Sequence, residues 1–103
     1  MLLSTTESLN GKSYEVLGIA QGTIVQTKHI GRDFLAAFKT IVGGEVKGYT
    51  DMIVEARKIA TQRMIDEATK LGADAIVSVR FTTSNIMDGA SEVMAYGTAV
   101  KTL

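Results

Sequence analysis

The sequence predicts an α+β domain: a mainly antiparallel sheet built from two β-hairpins, with two helices between them, in the order β-β-α-α-β-β. Three observations predict it. Asn10-Gly11 and Asp88-Gly89 each lie between strand-like runs. A long amphipathic run from Tyr49 stops at Leu71-Gly72. A shorter apolar run with helical spacing covers Arg32 to Val42.

The first hairpin is expected to turn at Asn10-Gly11, between LLSTTESL and KSYEVLGIAQGTIVQTK. Asn-Gly and Asp-Gly tolerate the positive φ values of a type I′ turn, whose twist matches that of paired strands. In the strand that follows, Gly18, Ala20 and Gly22 share one face, and Leu17, Ile19 and Val25 populate the other. The first helix places Phe34, Leu35, Phe38, Ile41 and Val42 on one side, and Gly43-Gly44 suits a C-cap.

The second helix is expected to start near Thr50 or Asp51, either of which can cap free N–H groups. At about 100° per residue, Met52, Ile53, Ala56, Ala60, Met64, Ala68 and Leu71 fall on one arc. Asp51, Glu55, Lys58, Gln62 and Asp66 fall opposite. Val54 and Ile65 are apolar on the polar side, whereas Arg63 and Glu67 fall inside the apolar arc. The closing hairpin turns at Asp88-Gly89. Its last strand has small residues Ala95, Gly97 and Ala99 on one face and Met94, Tyr96, Thr98 and Val100 on the other. Small faces admit a close helix. The larger faces are too apolar for open water, so a neighbouring subunit is expected to cover them.

Composition sets the outer bounds. The 103 residues suit one domain, residues 1–103, and a hydrophobic content of 46% suits a packed core. Eleven basic residues balance eleven acidic ones, so nucleic acid is not an expected partner. No polybasic run or apolar stretch points to a membrane. With no cysteine there is no disulfide and no thiolate ligand, and a cytoplasmic location is expected.

The residues resemble a known family along the whole chain. The likeness lies in Thr5-Thr6-Glu7, Leu17-Gly18-Ile19, Val42-Gly43-Gly44-Glu45, Tyr49-Thr50 and Ala56-Arg57. It continues in Leu71-Gly72-Ala73-Asp74-Ala75, Arg80-Phe81 and the closing Ala95-Tyr96-Gly97-Thr98-Ala99-Val100. Together they are similar to the YbjQ-like family of small bacterial proteins, which carries a heavy-metal-binding label. The resemblance implies a dodecin-like subunit and a ring-shaped homopentamer in which short strands help join subunits. It implies no particular reaction.

Candidate chemistry is sparse. A metal ion would look first to His29, with Glu45 or Asp33 as oxygen partners supplied around a symmetry axis. The bland reading makes His29 a solvated loop residue, and Met52 and Met64 read as packing. Gly43 and Gly48 mimic the spacing of a phosphate loop, but Tyr49 stands where that motif needs lysine. Arg63 and Glu67, one helical turn apart, suit a structural pair or, with Arg57 and Arg80, the walls of a polar ligand pocket. Nucleophilic catalysis has only His29 as an imidazole base. The expected function is therefore that of a homo-oligomeric binding protein, pentameric by the resemblance, holding a metal ion or small ligand at subunit junctions. An enzyme with a composite polar site between subunits is the alternative.

Overall fold

The fold is that of a computed structural model, which describes residues 1–27, 41–42 and 45–103. In chain order the elements are β1 (Leu2–Leu3), β2 (Tyr14–Thr27), β3 (Ile41–Val42), β4 (Glu45–Val46), α1 (Lys47–Lys70), β5 (Ala75–Met87) and β6 (Ala90–Thr102). The main sheet has the order β1-β5-β6-β2, while β3 and β4 pair separately. β6 runs antiparallel to both β5 and β2, and β1 runs parallel to β5. α1 lies across one face.

The α+β class holds, but the order β-β-α-α-β-β does not. Among the described residues there is one helix, and the sheet is mixed. His29, Asp33, residues 32–40 of the expected first helix and its Gly43-Gly44 cap lie outside the described residues. The end of that expected helix is not helical: Ile41 and Val42 pair with Val46 and Glu45. Both are β-branched, and such side chains fit an extended backbone better than a helical one.

The first hairpin is also absent. Asn10 and Gly11 do form a tight turn, with φ of 55° and 77°, but only Leu9 and Lys12 bridge across it. Leu2 and Leu3 pair instead with Ala75 and Ile76. The reason lies in Ser4 to Ser8. Their side chains bond their own backbone: the Thr6 N–H donates to Ser4 Oγ at 3.0 Å, and Thr6 Oγ1 donates to the Ser8 carbonyl at 2.8 Å. Such local bonds compete with a strand ladder. The arm then clamps a bulge in β5, where Ser78 takes a φ of 55°. The Ser78 N–H donates to the Thr6 carbonyl at 3.1 Å, and that of Val79 to Ser4 at 2.9 Å.

The closing hairpin forms as expected, with Met87 opposite Ala90. Its turn is not type I′, because Gly89 alone of the pair takes a positive φ, at 76°. α1 begins at Lys47, a few residues before either expected cap. Its end matches the sequence reading. Ala73 N–H donates to the Ala68 carbonyl and Gly72 N–H to that of Thr69, each at 3.0 Å. This is a Schellman closure, and Gly72 supplies its left-handed residue with a φ of 84°.

The core lies between α1 and the sheet. Ala56, Ala60, Met64 and Ala68 are fully buried against Ala20, Ile76, Val93, Ala95 and Ala99. Leu17 joins this layer instead of the outer face, because β2 bulges between Val16 and Gly18. A smaller cluster of Leu9, Ala75, Val77 and Val100 packs with Tyr14.

Asp74 ties the end of α1 to the end of β6. The Thr102 hydroxyl and N–H both donate to its carboxylate, the latter at 3.0 Å. Those two bonds, helped by the Lys101 charge, hold the carboxyl below its ordinary value of 3.8. A depressed carboxyl stabilises the folded state above its unfolded value and loses that contribution as pH falls through the folded value. Asp74→Asn is therefore expected to be less stable than the parent near neutrality. The gap should close below pH 3.8, as read from urea melts across pH.

Candidate functional site

Two depressions flank α1. The first is a polar groove of about 320 Å³ where the helix meets β2. Gln21, Gly22 and Thr23 form its floor, and Arg63, Asp66, Glu67 and Lys70 form its wall. Among the described residues β2 is an outer strand of the sheet. The Arg63 guanidinium donates to the Thr23 carbonyl at 2.6 Å. Glu67 lies in the same groove but pairs with Lys70, at 3.5 Å, rather than with Arg63. All of these charges are exposed, so each contributes little to stability. Arg63→Ala is expected to change unfolding free energy by no more than about 0.5 kcal/mol, as read from urea melts.

Of the expected ligand residues, Arg63 and Glu67 thus share one groove. Arg57 is exposed elsewhere on α1 and does not line it. Arg80 belongs to β5, across β6 from β2, and donates to the Thr5 carbonyl at 2.9 Å and that of Val79 at 2.8 Å. It thereby secures the N-terminal arm beside the bulge. His29 and the side chain of Glu45 lie outside the described residues, although the backbone of Glu45 belongs to β4. Among the described residues no three His, Cys, Asp or Glu side chains gather as metal ligands.

The second depression is larger, about 590 Å³, and holds none of the expected site residues. It opens between the first half of α1 and the tip of the β5–β6 hairpin. Met52 and Ile53 contribute from the helix, and Ile86 and Met87 from the hairpin. Gln26 joins its floor and donates to the Met52 carbonyl at 3.2 Å. Its size and apolar lining with a few amides fit the usual form of a ligand site. A clue was present in the sequence: Ile86-Met87 stands directly before the hairpin turn, where a surface tip usually carries polar residues.

Among the described residues, both outer strands of the sheet beyond β1 carry exposed apolar side chains. Val16, Ile19 and Val25 are exposed on β2, with Ile19 at 77%. Phe81, Ile86 and Met87 are exposed on β5, whose residues from Phe81 to Met87 carry no charge. β1 covers only the beginning of β5. No described helix is long and apolar enough to cross a membrane.

Comparison with known proteins agrees along the whole length. Residues 1–103 match the profile of the YbjQ family, described as "Putative heavy-metal-binding". A UPF0145 protein of Vibrio campbellii is 58% identical over 104 aligned positions, covering 100% of both chains. One from Thermosipho melanesiensis is 61% identical, covering 100% of this chain and 96% of its own. A crystal structure of a protein of unknown function from Pediococcus pentosaceus superposes with a TM-score of 0.70 at 18% identity, covering 100% of this chain and 98% of that one. That likeness concerns the fold alone.

Proposed function

Since the chain belongs to the YbjQ family, we propose that it is a cytoplasmic ring-forming binding protein that holds a small ligand or metal ion where its subunits meet. One observation carries the reading: among the described residues the sheet ends in two unlike, unpaired edges, β2 on one side and the outer half of β5 on the other. An edge that is long, apolar and uncharged invites another strand. Two different edges favour a head-to-tail contact, and a head-to-tail contact that closes makes a ring. Five copies is the number that the family resemblance implies.

Shape supports the same reading. The Cα radius of gyration is 16.6 Å and the extents are 51 × 27 × 18 Å. A compact domain of this length has a radius of about 13 Å. The excess length is consistent with a subunit that completes its packing on neighbours. A strand laid beside β2 would also roof the groove that holds Arg63 and Glu67, which is how a junctional polar site arises.

Size-exclusion chromatography with light scattering tests the reading. The expected mass is five times the 11.0 kDa chain at micromolar concentration. A stable monomer would remove the ring and its junctional site together. Ile19→Lys is expected to release folded monomers, because it places a charge on the apolar edge without touching the helix-side core.

A further inference from the structure

We propose that the cleft between α1 and the hairpin tip is a thioether site for a soft monovalent cation, of the Cu(I) or Ag(I) class, with Met52 and Met87 as its sulfur ligands. The idea deepens the binding-protein reading and rests on it only in taking ligand capture as the chain's task.

The donor set decides the metal class. Zinc and other borderline ions want thiolate, imidazole or carboxylate ligands. The chain has no cysteine and one histidine, and its described residues gather no His, Asp or Glu cluster. A zinc-type centre therefore has no ligand set among the described residues. Thioether sulfur is the soft donor that remains, and it selects monovalent d¹⁰ ions.

Placement supplies the second part. Met52 on α1 and Met87 at the end of β5 come from segments far apart in sequence, yet they line one opening. Met64 is sealed in the core and so is unavailable. The half-buried Met52 is anchored through the Gln26 bond to its carbonyl, whereas Met87 is 67% exposed at the hairpin tip.

Charge supplies the third part. Among the described residues lining the cleft, Asp88 is the only acidic one, and no lysine or arginine is among them. A single carboxylate beside otherwise uncharged described walls balances one positive charge and discourages anions.

Thioether ligands carry no proton near neutrality, so binding should not depend on pH. Imidazole binding would weaken as pH falls through about 6.5. The test titrates Ag(I) into the whole protein at pH 5 and pH 8, reading bound metal by native mass spectrometry and assembly by light scattering. One Ag(I) per chain, equal at both pH values, is expected. Met52→Leu and Met87→Leu keep volume and remove sulfur, and each should weaken binding at least tenfold. Met94→Leu should leave it unchanged. Absence of silver uptake, uptake that survives the Met52/Met87 double variant, or uptake lost at pH 5 would each overturn the site. An assembled protein that takes up no silver defeats the site alone, and a monomer that binds it defeats the ring alone.

Discussion

Gly22→Ala is expected to abolish the native fold. An alanine Cβ at this position would lie 2.1 Å from the Ala60 carbonyl oxygen and 2.3 Å from the Met64 nitrogen, where real contacts stay above 3.0 Å. Both obstacles are helix backbone. No rotamer change relieves them, and no substitution at position 60 or 64 removes them. α1 must lift off β2, which opens the layer that holds Ala56, Ala60, Met64 and Ala68. The cost is expected to exceed about 4 kcal/mol, the range reserved for severe core disruption. A domain of this size has a total stability of about 5–15 kcal/mol. Far-UV circular dichroism and a one-dimensional proton NMR spectrum would check it. A dispersed spectrum with a parental melting curve would show that helix and sheet do not touch at Gly22.

Met64→Ala is the second large effect. Met64 is wholly buried and is the largest side chain on the helix side of the core. Its neighbours Ala56, Ala60 and Ala68 are small and cannot swing in to fill the space. Truncation should therefore leave most of its cavity, at a cost of about 2–5 kcal/mol. For a domain near 100 residues, each kcal/mol lowers the midpoint by about 4–8 °C. Thermal melts should be compared at equal protein concentration, because assembly itself raises apparent stability. Met52→Leu provides the contrast, since Met52 is only half-buried and the swap conserves volume. A Met64→Ala protein that melts like the parent would place that side chain outside the core.

Both effects trace to a feature readable in the sequence. The alternation of Gly18, Ala20 and Gly22, repeated in Ala95, Gly97 and Ala99, marks a sheet face stripped of bulk. The alanines of α1 answer it at helical spacing. The helix end was equally legible, because Leu71-Gly72 brings a left-handed residue to the place where a Schellman closure needs one. The outer face was legible in part: Ile19 and Val25 stand exposed on β2, while Leu17 escapes the period-two rule through a bulge.

What escaped the sequence has physical reasons too. The parallel pairing of Leu2-Leu3 with Ala75-Ile76 spans most of the chain and involves two residues, too few for any periodic signal. The Asn10-Gly11 turn suggested a hairpin because turn chemistry is local and says nothing about where the flanking arm goes. Ser4 to Thr6 meet their partners at Ser78 and Val79, where a bulge is needed to receive them. The large cleft was hidden for a similar reason. Met52 follows the helical apolar pattern, so pattern alone assigns it to packing, and only the hairpin's reach brings Met87 into the same cleft. Arg63 was visible as a charge in an apolar arc. Its bond to the Thr23 carbonyl depends on where β2 runs.

The position of β6 sets the timing of folding. This strand lies between β5 and β2, yet it is the last of the described strands to be synthesised. While it is still missing, β2 and β5 have no common strand partner, and the sheet cannot close. Such distant pairing slows folding. Maturation is thus tied to the emergence of β6, and a nascent chain stalled before Ala90 is expected to present its greasy strands to chaperones.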